Sequence, residues 1–182
     1  MKIEQTPLKD SFILTPTIFN DERGTFNETF NEVLFEKVSG QKVNFVQDNQ
    51  STSRFGVLRG MHYQVGKMAQ AKLVRAIEGR VLDIIVDIRK GSETFGKHFS
   101  IILDDISQKQ LFVPRGFAHG FITLSPTSKF AYKCDNFYDK NSERGIIYND
   151  VSLQLDWHLP NDKFIISEKD LNLPSFIEAT SK

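Results

Sequence analysis

The stretch RGMHYQ, residues 59 to 64, places a histidine and a glutamine two positions apart, directly after the apolar run Phe55–Leu58. If this stretch is a strand, His62 and Gln64 lie on the same face, because side chains alternate along a strand. Small antiparallel barrels often hold a cation between two histidines at this spacing, but an amide is a poor ligand for a transition metal. His62 is therefore a candidate catalytic base or a packed core histidine, and Gln64 argues against a metal site.

A second stretch, VPRGFAHGF at residues 113 to 121, contains the spacing P-x-G-x-x-H. This spacing predicts a turn followed by a strand that carries His119 on one face. A turn and strand of this kind form the second half of the same barrel pattern. Without a metal, His62 and His119 at a barrel mouth would suit acid–base chemistry or ligand binding; a purely structural role stays open for each. His98 and His158 have no such setting, and we assign them to structure or surface.

Short segments rich in Val, Ile and Phe, separated by turn residues, fill most of the chain. The predicted strands are AKLVRAI (71–77), RVLDIIVDI (80–88), KHFSIIL (97–103), KQLFV (109–113), GFITL (120–124) and KFAYKCD (129–135). One helix is predicted over residues 30–40, where apolar residues recur every fourth position and a glycine follows, and a helical turn is predicted near residues 167–172. The pattern predicts an all-β jelly-roll barrel or sandwich with a few short helices.

Composition narrows the class of protein. The 182 residues are 40% hydrophobic, and the 23 basic residues balance the 23 acidic ones. We expect one domain over residues 1–182, and no nucleic-acid or membrane partner, because no basic face is implied and no apolar run approaches the roughly 18 residues that span a bilayer. The lone cysteine, Cys134, and the lack of an apolar leader in the first ten residues predict a soluble cytoplasmic protein.

Several other side chains are candidates for either a structural or a functional role. Lys72 lies at an inward position of an alternating strand, where it needs an anionic partner, either a carboxylate at the barrel rim or a substrate oxygen. Tyr132 and Tyr138 lie six residues apart and could pack in the core, donate protons or stack on a planar ring. Arg23 and Glu28 occupy a charged turn, which is usually only solvated.

Seven segments, in order over nearly the whole chain, match one known family: DERGTFNETFN, FVQDNQS, VLRGMHYQ, AKLVRAIEGRVLDIIVDIRKGSETFG, LFVPRGFAHGFITLS, YKCDNFY and YNDVSLQLDW. Through these segments the chain resembles the dTDP-4-dehydrorhamnose 3,5-epimerases, a family of cupin-fold enzymes that act on nucleotide sugars. The departures are small, with Met61 where leucine is more usual and Tyr63 where phenylalanine is.

The resemblance implies conversion of dTDP-4-dehydro-6-deoxy-D-glucose to dTDP-4-dehydro-L-rhamnose, in dTDP-L-rhamnose biosynthesis, without metal or cofactor. Protons at C3 and C5 would be removed and returned through an enolate. His62 matches the family's general base and Asp170 the carboxylate that orients it. Tyr132 matches the proton donor, and Lys72 matches the lysine beside the keto oxygen.

The same resemblance implies a set of binding residues and a homodimer. Arg59 matches a diphosphate contact and Tyr138 the ring that stacks on the nucleotide base. The remaining nucleotide and sugar contacts would be Arg23, Glu28, Gln47, Asn49, His119, Glu143 and Lys169. Family members exchange N-terminal strands between subunits, so Arg23 and Glu28 are expected to reach the partner's site.

Three alternatives stay open at this point. A close relative could epimerise only C3 or only C5 of a related nucleotide sugar. A metal-dependent cupin is disfavoured by Gln64, and a non-catalytic nucleotide-sugar binding module is disfavoured by the presence together of His62, Lys72 and Tyr132.

Overall fold

The structure is a computed structural model that describes residues 1–181. Its strands are β1 Lys2–Gln5, β2 Phe12–Thr15, β3 Phe19–Asp21, β4 Gly24–Phe26, β5 Gln47–Arg54, β6 Leu58–Gln64, β7 Lys72–Glu78, β8 Arg80–Asp87, β9 His98–Asp104, β10 Gln110–Val113, β11 Phe117–Thr123, β12 Thr127–Cys134 and β13 Glu143–Gly145. The helices are α1 Glu32–Ser39, α2 Glu168–Leu171 and α3 Phe176–Thr180.

Two antiparallel sheets form the body of the fold. One has six strands in the order β1-β2-β10-β7-β12-β5, and the other has five in the order β13-β6-β11-β8-β9. An apolar cluster joins them with residues from both, among them Val74 and Phe130 from the first sheet and Val81, Ile85 and Phe121 from the second. The all-β prediction is confirmed, and the core lies between the two sheets as in other β-sandwiches.

Alternation along β7 determines which side chains enter the interior. Val74 and Ala76 belong to the cluster between the sheets, and Lys72 lies at the same parity. Leu73 belongs instead to a cluster on the outer face, where it packs with Phe35 of α1. The expected inward position of Lys72 is therefore present in the structure.

Helix α1, which the sequence predicts over residues 30–40, covers part of that outer face. Asn31 caps it by accepting a hydrogen bond from the Leu34 N–H, and Gly40 ends it with φ of 69°. A glycine adopts this left-handed conformation at little cost. The apolar face of α1 buries Phe35 against Phe12 and Phe112.

Strands β6 and β11 lie side by side and bring the two histidine-bearing stretches together. His119 is directly opposite His62 in the register, which then shifts before Phe121. The backbones approach so closely that a Cβ on Gly120 would lie 2.7 Å from the Met61 sulfur and 2.9 Å from the Arg59 carbonyl oxygen. Only glycine fits at this position without displacing β6.

Strand β5 is the main element that the sequence patterns miss. Its residues, QDNQSTSR, contain no aliphatic or aromatic side chain, yet all eight pair with β12. It lies at the edge of the six-stranded sheet. Polar residues suit an edge strand because they discourage pairing with other chains.

The C-terminal segment folds back across the five-stranded sheet and carries α2 to β6. Val57 and Ile165 form a parallel bridge, and the Leu58 N–H donates to the Ile165 carbonyl. The helical turn predicted near residues 167–172 is α2, which Ser167 caps by accepting the Asp170 N–H. Within residues 1–181, no helix combines the length and the apolar character needed to cross a bilayer.

Candidate active site

His62 and Asp170 form a hydrogen-bonded pair although 108 residues separate them in sequence. The distance from His62 Nε2 to Asp170 Oδ1 is 2.7 Å, and the Gly60 N–H approaches the other carboxylate oxygen at 3.4 Å. Asp170 is buried, with 4% of its surface exposed. Burial alone would raise the pKa of Asp170, but the hydrogen bond and charge of His62 bring the pKa below its ordinary value. The carboxylate is therefore ionised at neutral pH and holds the imidazole by one nitrogen.

Lys72 and Tyr132 border the same cleft from the opposite sheet. The Lys72 ammonium lies 5.8 Å from the centre of the Tyr132 ring, and no carboxylate of residues 1–181 forms an ion pair with it. Burial lowers the pKa of Lys72, with Cys134, Asp83 and Glu143 acting in the other direction. Burial raises the pKa of Tyr132, so its hydroxyl stays protonated at neutral pH.

Two cavities meet at these side chains. His62, Lys72 and Tyr132 line both of them. The first, of about 350 Å³, also contacts Gln47, Asn49, Tyr138 and Glu143. The second, of about 530 Å³, also contacts Arg59, His119, Lys169 and Asp170. Together they form one cleft with three ionisable side chains at its middle.

An ionic network links the linings of the two cavities. Tyr138 donates through its hydroxyl to Glu143 Oε2 at 3.0 Å, and Lys169 donates to the same oxygen at 2.6 Å. Burial would raise the pKa of Glu143, but Lys169 and Tyr138 together lower it. Tyr138 is 54% exposed, so its ring is accessible to a planar ligand.

Arg59 and His119 line the second cavity. Arg59 Nε donates to the buried Ser53 hydroxyl at 3.2 Å, which leaves its terminal nitrogens free of hydrogen bonds within residues 1–181. A guanidinium held in this way presents a fork that suits phosphate oxygens. His119 contacts Asp83 across adjacent strands, with 2.9 Å between Nε2 and Oδ2.

Gln64 has a structural role that its position beside His62 did not indicate. Its amide nitrogen donates to the Met68 and Phe137 carbonyls, at 2.6 and 3.1 Å, and its amide oxygen accepts from the Asp139 N–H at 2.7 Å. Both ends of the amide are thus used to fasten the loops that border the cleft.

Arg23 and Glu28 lie away from the cleft of their own chain. Arg23 is on the turn of the β3–β4 hairpin, where it pairs with Asp21 at 2.6 Å and its side chain is 85% exposed. Glu28 accepts a hydrogen bond from Asn31. Neither residue lines either cavity.

Sequence reasoning missed Asp83, the carboxylate that contacts His119. A signal was present: the apolar strand RVLDIIVDI places an aspartate at the same parity as Val81 and Ile85, which are core residues. A carboxylate among inward apolar positions needs a partner and so marks a candidate site.

The arrangement suits proton transfer at carbon. An imidazole fixed at Nε2 keeps Nδ1 for accepting a proton, an ammonium can stabilise a developing oxyanion, and a protonated phenol can return a proton. Arg59 can hold an anionic group while an exposed ring receives a planar one.

Comparison with known proteins gives one consistent family. Residues 5–178 match the family model described as dTDP-4-dehydrorhamnose 3,5-epimerase. A protein of that name from Shigella flexneri is 48% identical over 179 residues, 98% of either chain.

Solved structures agree with this match. The crystal structure of dTDP-4-dehydrorhamnose 3,5-epimerase from Elizabethkingia anophelis NUHP1 is 54% identical with a TM-score of 0.95, over 99% of this chain and 98% of that one. An epimerase from Legionella pneumophila Philadelphia 1, solved in complex with dTDP-4-keto-L-rhamnose, is 43% identical with a TM-score of 0.92, over 96% and 92%. In sequence and in fold, therefore, this chain belongs to the dTDP-4-dehydrorhamnose 3,5-epimerase family.

Proposed function

We propose that the protein inverts both C3 and C5 of a dTDP-4-keto-6-deoxy sugar, yielding dTDP-4-dehydro-L-rhamnose for dTDP-L-rhamnose biosynthesis, within one epimerase domain spanning residues 1–182. The observation that carries this proposal is the His62–Asp170 pair, which lies at 2.7 Å in a cleft that also contains Lys72 and Tyr132. A base, an oxyanion stabiliser and a proton donor are the groups that epimerisation beside a ketone requires.

The proton is removed by His62. Hydrogens on a carbon next to a ketone are weakly acidic because the carbanion delocalises as an enolate. Nε2 of His62 donates to Asp170, so Nδ1 accepts the proton, and the ionised Asp170 stabilises the imidazolium that forms. A positioned general base of this kind contributes roughly 10²–10⁴-fold.

The enolate oxygen is stabilised by Lys72, and Tyr132 returns a proton from the other face. Lys72 has no carboxylate ion pair within residues 1–181, so its charge is available to the substrate oxygen. A preorganised donor of this type contributes about 3–4 kcal/mol to transition-state binding. The half-buried, protonated Tyr132 hydroxyl then supplies the proton to the epimerised carbon.

The nucleotide is held at the two ends of the cleft. Tyr138 offers its exposed ring to the base, and Arg59 offers its fork to the diphosphate. Further contacts come from polar side chains that line the cavities: Gln47, Asn49, His119, Glu143 and Lys169.

We infer that the functional unit is a homodimer with exchanged N-terminal strands. The β3–β4 hairpin pairs only with itself among the described residues, and its Phe19 and Phe26 are 60% and 69% exposed. Two large aromatic rings on a projecting hairpin suit an interface between subunits. Exchange would carry Arg23 and Glu28 to the partner's cleft.

A cytoplasmic location is inferred as well. It is supported by Cys134, the only cysteine, which is buried and forms no disulfide. Free cysteines are usual in proteins of a reducing compartment.

The test follows isotope exchange with dTDP-4-keto-6-deoxyglucose in D₂O by NMR. We expect deuterium at both C3 and C5, and none in His62→Ala, which should still bind dTDP in calorimetry. His98→Ala is the matched control, because this exposed histidine at the start of β9 should be dispensable. Deuterium at one carbon only would identify a single-carbon epimerase instead. Unchanged turnover in His62→Ala would overturn the role of His62.

A further inference from the structure

Asp83 is a wholly buried carboxylate that the chemistry above does not use. It lies on β8 between Val81 and Ile85, both members of the apolar cluster between the sheets, and its exposed fraction is 0%. A buried charge in such surroundings is costly unless it is paired. Its retention therefore calls for partners strong enough to offset the cost.

Only one of its two oxygens has a partner within residues 1–181. Oδ2 lies 2.9 Å from His119 Nε2, whereas Oδ1 is buried without a hydrogen-bond donor. The His119 ring is itself held by stacking on Phe130, with 6.1 Å between ring centres and an interplanar angle of 23°. Because Nε2 faces the carboxylate, the proton of neutral His119 belongs on Nε2, and Nδ1 is the free nitrogen.

Lys72 shares a cavity with His119, the hydrogen-bond partner of Asp83: both side chains line the cavity of about 530 Å³. The two residues come from opposite sheets, Lys72 on β7 and Asp83 on β8, and no ion pair joins them directly. Burial lowers the pKa of Lys72, and the charges of Cys134, Asp83 and Glu143 oppose this effect.

Three groups raise the pKa of Lys72 against the effect of burial, and they differ in how much negative charge they carry. Burial raises the pKa of Cys134, so this thiol is neutral at pH 7. Glu143 is already neutralised by Lys169, at 2.6 Å. The other ionisable side chains that border the cleft are His62, paired with Asp170, together with Arg59, His119 and the tyrosines Tyr63, Tyr132 and Tyr138. Of these carboxylates, Asp83 is thus the buried one that pairs with no lysine or arginine of residues 1–181.

We propose that Asp83 is a positioning residue for the epimerisation: it holds His119 in the Nε2–H tautomer, and its charge keeps the Lys72 ammonium protonated inside the cleft. The role of Lys72 in catalysis rests on the proposed function, whereas the electrostatic coupling between Asp83 and Lys72 does not. An ammonium that lost its proton could no longer stabilise the enolate oxygen. Asp83 would therefore act through Lys72 and His119 without touching the reacting carbon.

The test measures the titration of Lys72 directly, in protein labelled with ¹³C and ¹⁵N at lysine, with the signal assigned by its loss in Lys72→Met. Asp83→Asn keeps the shape and an acceptor for His119 but removes the charge. We expect the Lys72 midpoint to fall by about one pH unit or more, and the alkaline limb of the kcat profile to move with it. A structural role alone would not move either midpoint.

Asp87→Asn is the matched control. Asp87 lies on the same strand at the same parity and is also fully buried, but its charge is paired with Arg89. It should leave the Lys72 midpoint unchanged. An unchanged midpoint in folded Asp83→Asn would overturn the proposal, even if turnover fell.

A second measurement applies if Asp83→Asn does not fold. In the wild-type protein, the ¹³C signal of the Asp83 carboxyl should show a step at the pH where Lys72 titrates, and the step should vanish in Lys72→Met. Its absence from the wild-type protein would also overturn the coupling. If the coupling is present but the dTDP sugar shows no exchange, the substrate assignment fails and the coupling stands.

Discussion

The pKa values of Asp170 and Lys72 are both lowered in the cleft, but for different reasons. Asp170 is buried but receives a hydrogen bond from His62, and the net effect lowers its pKa. Lys72 is half-buried with no hydrogen-bonded anion among residues 1–181, and its pKa is lowered because burial dominates. The carboxylate is therefore committed to a protein partner, while the ammonium is kept for an anion that the protein does not itself provide.

Lys72→Met tests whether the Lys72 ammonium serves the substrate oxygen. We expect kcat to fall by about 10²–10³-fold, because one donor to the developing oxyanion is lost. Lys129→Met is the control, since Lys129 pairs with Glu78 at the surface of the neighbouring strand. Steady-state kinetics of both variants would measure the effect, and a similar loss in the two would contradict a specific role for Lys72.

The pH profile of the wild-type protein tests the same lysine. Its folded pKa is lowered, so the protonated form is present below that pKa and is lost as pH rises through it. The alkaline fall in kcat should therefore come at a lower pH than the 10.5 of an ordinary lysine. A kcat profile that stays flat up to pH 10.5 would contradict a catalytic role for the Lys72 ammonium.

Tyr132→Phe separates removal of the proton from its return. The ring and its packing against Phe130 are kept, whereas the hydroxyl is lost. We expect deuterium to enter the substrate through His62 faster than epimerised product forms, because protonation from the opposite face is slowed. NMR in D₂O measures both rates, and equal loss of the two would argue against Tyr132 as the proton donor.

The loop after β8 is fastened by a carboxylate at the end of that strand. Asp87 accepts three hydrogen bonds from Arg89, two from the guanidinium at 2.9 and 2.8 Å and one from the backbone N–H at 2.9 Å, and one each from Ser92 and Thr94 at 2.6 Å. Arg89 also donates to Asp10, so the network ties the N-terminal segment to the sheet. Burial would raise the pKa of Asp87, but these hydrogen bonds lower it to about 2.

Asp87→Asn should reduce the free energy of unfolding at pH 7 by about 2 kcal/mol, judged from the lowered pKa. A carboxyl whose folded pKa is depressed stabilises the fold above its unfolded pKa of 3.8, and this stabilisation is lost as pH falls toward about 2. The difference from wild type in urea denaturation should therefore shrink between pH 5 and pH 2. Asp162→Asn, an exposed surface variant, should show little change at either pH.

At the scale of the whole molecule, the exposed β3–β4 hairpin leads to a prediction about the proposed dimer. If Arg23 serves the partner's cleft, Arg23→Ala and His62→Ala homodimers should both be impaired. A refolded mixture should regain activity, because each mixed dimer has one cleft with both residues intact, about one quarter of all clefts in an equal mixture. Activity below KM would be measured before and after mixing. No recovery, in a mixture shown to exchange subunits, would place Arg23 outside the shared site.

Local patterns in the sequence determined much of the secondary structure. Apolar residues at every fourth position and a following glycine predicted α1, and alternation along β7 predicted the inward position of Lys72. Both depend on residues close together in the chain, where the periods of helix and strand leave a direct signature. The barrel was predicted from the short strands, from the two histidine stretches and from the family resemblance.

Only the tertiary structure decided the contacts between distant segments. Asp83 meets His119 because β8 and β11 pair in one register, and Asp170 reaches His62 because α2 folds back across β6. Strand β5 has no apolar alternation and is a strand only because β12 offers it an edge. Such contacts depend on the register and stacking of whole sheets, which no short stretch of sequence specifies.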